Sequence, residues 1–291
     1  LPFNDAHAIV LKDVILYNLD TERKWRYQKK YGYIRPNNTP YDPSIIYKNA
    51  GWVSWGHWLG TKNIRGTLRK YDVDDNFFQK WSGEMAYVLG FWWADGYMRE
   101  RRDRISPLYG FSICQQTKYK YILEKILKVM SSNNPICCPK TRPSMSHFEI
   151  CSKEIFESLI ELGGTPNKSK TITMPNNMAD EYVPDFIRGL FDGDGCITIN
   201  KRNNVRSSYI CSGNLDFIIS LKNLMDKFKI KGAIQNNSNK KNICFKLVFS
   251  TNATKKLGMF MYGNVLSDLK LDRKYNKFIE KGEPIWKNLA A

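Results

Sequence analysis

The sequence predicts an α+β protein in which two pseudo-symmetric αββαββα halves follow a small, mainly helical N-terminal domain. Three observations predict it. An apolar run ending in Asp-Gly occurs twice, the segments after each copy come in the same order, and a Trp- and Tyr-rich stretch of different texture precedes both. The boundaries fall at 1–75 for the N-terminal domain, 76–176 for the first half and 177–288 for the second.

In the N-terminal domain Trp52, Trp55 and Trp58 recur at spacings of three, which suits the core of a tiny helical unit better than a base-stacking surface. The turn-rich "YDVDDN" at 71–76 closes it. The first half then opens with a helix that contains "VLGFWWADG" (88–96), capped by Ser82 with Glu84 in its first turn. Alternation predicts strands at 97–104 and 109–116, helical spacing follows in "YKYILEKILKVM", and two shorter strands at 135–140 and 146–151 lead into "KEIFESLIELGG", closed by Gly163-Gly164. The polar segment 165–182, with two prolines, reads as a linker. The second half repeats the order: a helix with Pro184 in its first turn and "IRGLFDGDG" (187–195), strands at 196–202 and 207–212, the helix "LDFIISLKNLMDKF", strands at 231–236 and 243–249, then helices.

Gly90 and Ala94 in the first copy, and Gly189 and Gly193 in the second, stand four apart and so share one helix face. Glycine inside a helix costs roughly 1 kcal/mol against alanine, so a strip of small residues needs a packing reason. Mutual packing of the two helices supplies it, with a pseudo-two-fold axis between the halves. Gly96 and Gly195 are expected to end the helices in the left-handed conformation. Asp95 and Asp194, 99 residues apart, would then meet at two helix C-termini. Like charge and the negative dipole ends both oppose ionised carboxylates there. A divalent cation would relieve both, and hard oxygen ligands suit magnesium. An isolated Asp-Gly is most simply a turn cap; two copies on matching helices argue for a site.

Lys+Arg 45 against Asp+Glu 28 leaves +17, far more than solubility requires, so a polyanion is the expected partner. No apolar run approaches the 18 to 20 residues of a membrane span, and no basic helix carries a continuous apolar face, so nucleic acid is favoured over membrane. Seven cysteines without paired Cys-x-x-Cys spacing are expected to be buried thiols of an intracellular, reducing compartment. His7, His57 and His147 look too scattered for a zinc site and read as structural. No signal peptide is visible, and Leu1 in the place of Met suggests a chain that starts after its natural beginning.

"VLGFWWADG" and "IRGLFDGDG" resemble the two signature helices of LAGLIDADG homing endonucleases in their single-chain, two-motif form. The resemblance covers about 82–285, including "LGGTPNKSKTITMP" and the late "DRKYNKF" helix, and departs at Trp93, where the second copy has Asp192. The stretches "LPFNDAHAIV" and "YDPSIIYKNAGWVSWGHWLGT" resemble a phage-integrase-type repeat unit over about 1–62, a possible accessory DNA-binding unit. The family resemblance implies a saddle that binds double-stranded DNA, a monomer with internal pseudo-symmetry, and hydrolysis of both strands at a long asymmetric target. It implies Mg2+ (or Mn2+, with Ca2+ as a non-productive substitute) held by Asp95 and Asp194 and by main-chain oxygens near Ala94 and Gly193. It also implies polar groups near the metals at Gln115 and Ser212 and a basic one, for which Lys246 is the candidate.

Alternation places Met98, Ile197, Phe111 and Ile113 toward the helices and leaves Tyr97, Arg99, Arg101, Ser112, Gln116, Thr198 and Asn200 on the free face, where strands can read a major groove. Arg202, Gln235 and Lys246 join that DNA-binding set. Rival readings are an intron RNA maturase, a non-cleaving DNA-binding regulator of the same fold, and an intein, which is disfavoured by the missing splicing Cys and His-Asn pair.

Overall fold

The computed structural model describes residues 1–61, 70–101, 108–168, 171–200, 202–203, 205–239, 243–265 and 267–289, with only the backbone of Arg101. The chain divides into two compact units, Leu1–Tyr71 and Asp72–Ala291. No described helix is long and apolar enough to cross a membrane.

The regular elements among the first unit's described residues are all helical: α1 (Phe3–Tyr17), α2 (Glu22–Arg26), α3 (Pro43–Ile46) and α4 (Trp55–Trp58), with one 3-10 turn at Gln28–Tyr31. The short helices start on side-chain caps, Thr21 accepting from Lys24 N–H, Asp42 from Ser44 N–H and Ser54 from His57 N–H. Phe3, Ala6, Val10 and Val14 form one stripe of α1, and that stripe closes on Trp25, Tyr33, Tyr47 and Trp58. Trp58 is the fully buried member of the tryptophan series, with Trp52 and Trp55 half-buried against it. Two of the histidines that look scattered in sequence meet here: His7 Nε2 lies 2.7 Å from the carbonyl of His57, with ring centroids 4.7 Å apart.

The second unit contains both halves. The first runs α5 (Gly83–Asp95), β1 (Gly96–Arg101), β2 (Leu108–Gln116), α6 (Lys120–Val129), β3 (Met145–Cys151) and α7 (Lys153–Glu161). The second runs α8 (Val183–Asp194), β4 (Gly195–Ile199), β5 (Arg206–Ser212), α9 (Leu215–Lys227), β6 (Gly232–Asn236), β7 (Phe245–Phe249) and α10 (Thr251–Tyr262). The short α11 (Asp272–Tyr275) and a hairpin of β8 (Ile279–Glu280) with β9 (Glu283–Pro284) follow.

The first sheet has the order β1-β2-β3 and the second β4-β5-β7-β6, with every pairing antiparallel. Gly96 pairs with Ile113 and Gly195 with Ile210, so the two halves share one register. The strand expected at 135–140 shrinks to a single bridge between Cys137 and His147. Pro135 and Pro139 bracket it and cannot donate to a ladder.

Helices α5 and α8 cross at the centre of this unit. Ser82 Oγ accepts from Met85 N–H, and the proline at the start of α8 sits in its first turn. A Cβ on Gly90 would lie 2.0 Å from the carbonyl oxygen of Phe186, and one on Gly189 would lie 2.0 Å from that of Tyr87. Backbone therefore touches backbone at both places, which is the packing reason the glycine strip requires. Gly96 and Gly195 correct the expectation about helix ends. Their backbones are extended (φ −89° and −82°), not left-handed. They are needed for space, since a Cβ at Gly96 would meet the Trp92 ring at 2.0 Å and one at Gly195 the Phe191 ring at 2.4 Å.

Met98, Phe111, Ile113, Ile197 and Ile210 are buried on the helix side of the sheets, as alternation requires. The cysteines differ from expectation. Cys137, Cys138 and Cys151 are exposed, Cys114, Cys196, Cys211 and Cys244 are half-buried, and no disulfide joins any two of them among the described residues. Their strand-like neighbours misled because on a two-faced strand half the positions look away from the core.

Candidate active site

The two central helices deliver their last residues side by side. A Cβ on Gly193 would lie 2.2 Å from Ala94 Cβ and 3.5 Å from Asp95 Oδ2, so the missing side chain at Gly193 lets the Asp95 carboxylate come up against α8. Gln115 Nε2 donates to Asp95 Oδ2 at 3.2 Å. Burial raises the pKa of Asp95, against the positive charges of Lys274 and Lys168. Asp194 is pushed up to about 6, first by burial and then by the charge of Asp95, with the same two lysines opposing. Each carboxylate thus carries an unmet electrostatic cost.

Those lysines are the site residues that sequence reasoning missed. Lys168 Nζ donates to the carbonyls of Trp93 (2.9 Å) and Ala94 (3.3 Å) at the end of α5. Lys274 Nζ donates to those of Phe191 (2.7 Å), Asp192 (2.7 Å) and Gly193 (2.9 Å) at the end of α8. An ammonium there satisfies orphan carbonyls and the negative end of the helix dipole. Burial holds both lysines down to about 8, against the pull of the nearby aspartates. Lys168 lies in the polar linker and Lys274 in "DRKYNKF"; a lysine in either context reads as solvated, so only their matching positions after each half could have marked them.

The other expected residues divide. Ser212 occupies the place equivalent to Gln115, but its hydroxyl oxygen accepts from Asn214 N–H at 3.2 Å, which turns the chain into α9, and no described hydrogen bond joins it to Asp194. Cys211 Sγ instead lies 3.3 Å from the Asp194 carbonyl. Lys246 on β7 pairs with Cys211 on β5, and its Nζ sits 4.4 Å from the centre of the Tyr209 ring; the ammonium groups that act on both Asp95 and Asp194 are those of Lys168 and Lys274. The oxygens of Ala94 and Gly193 do converge on the site, each engaged by a lysine.

Tyr97, Gln116, Thr198 and Gln235 on the free sheet faces are exposed, as are Asn200 and Arg202 in the turn after β4. Ser112 is half-buried, with its hydroxyl donating to the Tyr97 carbonyl at 3.2 Å. Arg99 is also half-buried and is not a free cation: Glu149 on β3 holds it at 2.6 Å. The side chain of Arg101 lies outside the described residues.

Among the described residues no group of three or more His, Cys, Asp or Glu side chains could hold a metal by itself. Two adjacent carboxylates that raise each other's energy nevertheless suit a hard divalent cation, which commonly takes one or two carboxylates and completes its shell with water and substrate phosphate. Asp95 and Asp194 would hold it.

Twin helices packed through glycine, each ending in a carboxylate and followed by an antiparallel sheet, define a duplicated α+β protein with its site on the internal axis. Residues 181–257, from the start of α8 into α10, match the family model of the LAGLIDADG-like domain. An uncharacterized protein of Methanocaldococcus jannaschii is 26% identical over 123 residues, which is 41% of either chain, so the match spans less than half of that relative. Among solved structures, I-DmoI in complex with DNA and Ca aligns with 67% of this chain and 94% of its own at 15% identity and a TM-score of 0.48. The LAGLIDADG meganuclease I-AabMI bound to uncleaved DNA aligns with 66% and 87% at 13% identity and a TM-score of 0.47.

Proposed function

We propose that this protein is a site-specific, divalent-metal-dependent endonuclease that cuts both strands of a long asymmetric DNA target. The observation that carries the reading is the pair Asp95 and Asp194, held together by glycine-mediated helix contact and flanked by one buried lysine each. A bound Mg2+ or Mn2+ would supply activation of a water and neutralisation of charge on the leaving oxygen. The chain supplies the rest. Asp95 and Asp194 place negative charge where the cation must sit, and Gln115 fixes the orientation of the Asp95 carboxylate. Lys168 and Lys274 add positive charge beside the scissile phosphates, where the excluded water makes it effective. Tyr97, Gln116, Thr198, Asn200, Arg202 and Gln235 offer side chains to the groove, and the net charge of +17 supplies phosphate affinity.

The N-terminal unit extends the footprint. Arg23, Lys29 and Lys30 are exposed beside exposed Tyr27 and Tyr31, a combination that suits a phosphate backbone. Deletion of 1–71 with no loss of duplex affinity would remove this part of the reading. Cysteines without disulfides at exposed and half-buried positions suit an intracellular, reducing compartment.

A cleavage assay on a randomised duplex library, with and without Mg2+, tests the nuclease reading directly. Metal-dependent double-strand cutting that is lost in Asp95→Asn and in Asp194→Asn supports it. Tight binding of intron RNA with no duplex cutting would favour the maturase alternative instead, and duplex binding without cutting would favour the regulator.

A further inference from the structure

Lys168 and Lys274 reach the helix ends from segments with little regular structure of their own: a linker after α7 and the one-turn helix α11. Something must hold those segments in place. In the first half Trp93 Nε1 donates to the carbonyl of Thr173 at 2.8 Å, five residues beyond Lys168. In the second half Asp192 Oδ2 accepts from Leu271 N–H at 2.8 Å, three residues before Lys274, and from the Tyr87 hydroxyl at 2.8 Å. Trp93 and Asp192 occupy the same place in their helices, two residues before Asp95 and Asp194.

The chemistry is opposite and the recipient equivalent: a donor where the lysine-bearing segment presents a carbonyl, an acceptor where it presents an N–H. Neither residue is an ordinary core choice. Trp93 is 3% exposed and Asp192 0% exposed. The second oxygen of Asp192, Oδ1, is buried with no hydrogen-bond partner. A buried carboxylate with an orphan oxygen is costly against an apolar residue of similar size, so the contacts of Oδ2 must be what retains it.

We propose that Trp93 and Asp192 are positioning residues, each anchoring the segment that carries the active-site lysine of its own half. The anchors act locally, so each governs one lysine and, through it, cutting of one DNA strand. This second consequence rests on the nuclease reading; the first does not.

The test uses Trp93→Phe, which keeps a ring and removes the N–H, Asp192→Leu, which keeps volume and removes the acceptor, and Asp192→Asn, which keeps an acceptor oxygen. Acetylation of the DNA-free full chain at one pH, read by mass spectrometry, is expected to label Lys168 about tenfold faster in Trp93→Phe with Lys274 unchanged, the factor one net hydrogen bond provides. Asp192→Leu is expected to do the reverse, and it is read against Asp192→Asn, which also removes the charge that raises the Lys274 pKa but keeps the acceptor, so that only the excess labelling of Lys274 in Asp192→Leu reports the lost anchor. Single-turnover cleavage of a duplex labelled on each strand should show Trp93→Phe and Asp192→Leu slowing opposite strands and accumulating opposite nicks. Equal labelling of both lysines, or equal slowing of both strands, overturns the proposal in favour of a merely structural role. Should Asp192→Leu fail to fold, Trp93→Phe alone decides. A parent protein that cuts no duplex sinks the nuclease reading and leaves labelling to decide this one; unchanged labelling with cutting intact sinks this one alone.

Discussion

In the first half, Asp95 accepts a hydrogen bond from Gln115 and the sheet behind it has three strands; in the second, Asp194 lies beside Cys211 and the sheet has four. The residue two places before the carboxylate is an indole in one and a buried acid in the other. Yet both helices touch through glycine, both end in Asp-Gly, and both ends receive a lysine. The shared features are those in which backbone meets backbone or charge meets a helix end, where few side chains fit. The divergent ones rest on side chains, where a donor can replace an acceptor if the partner changes with it, and Asp192 also takes a hydrogen bond from Tyr87 of the other half.

The comparison breaks first at the carboxylates. If the halves are equivalent, Asp95→Asn and Asp194→Asn should each abolish double-strand cutting, by about 10³-fold or more, while gel-shift affinity for duplex survives. A substitution that left one strand cut at the parent rate would show that each acid serves its own strand independently. The lysines come next. Lys168→Met and Lys274→Met should each slow cutting about 10²-fold, with the strand bias reversed between them in a strand-resolved single-turnover assay.

Stability sharpens the comparison at the axis. Gly90→Ala and Gly189→Ala each drive a methyl into a carbonyl of the opposite helix, so both should lose roughly 1–3 kcal/mol or more in urea unfolding, and by similar amounts.

The pH dependence follows from Asp194. Its folded-state pKa of about 6 is above the unfolded value, so the fold favours the protonated form. The stability this contributes is present below about pH 4 and lost as pH rises through about 6, on the order of 3 kcal/mol. The urea midpoint of the metal-free protein should lose that fall in Asp194→Asn. Cutting should move oppositely, rising through pH 6 as the carboxylate ionises. Lys168 and Lys274, with pKa held down to about 8, withdraw stability as pH falls from about 10.5 through 8.

The smallest expected effect separates Gln115 from its counterpart: Gln115→Ala should slow cutting several-fold, consistent with about 1 kcal/mol for its hydrogen bond, and Ser212→Ala should barely change it. Equal effects would restore Ser212 to the site.

Much of this arrangement is legible in one dimension. The spacing of Gly90 with Ala94 and of Gly189 with Gly193 predicts the crossing of α5 and α8, and alternation predicts which way Met98 and Ile197 point. Gln115 is implied by the family resemblance, and it shares strand parity with the buried Ile113, which agrees with its pointing toward the helices. The strand at 135–140 was misread because its apolar centre outweighed the two prolines that bracket it. Arg99 looked free because its partner, Glu149, arrives from a strand 50 positions away.

The sequence by itself determined the duplication, the central helices and the two acids, because each rests on residue type at short, repeated spacing. Tertiary structure alone decided which basic groups serve them. Lys168 meets a carbonyl 75 residues earlier and Lys274 one 82 residues earlier. Such contacts are set by where the chain returns after a whole half has folded, and no local periodicity records that return.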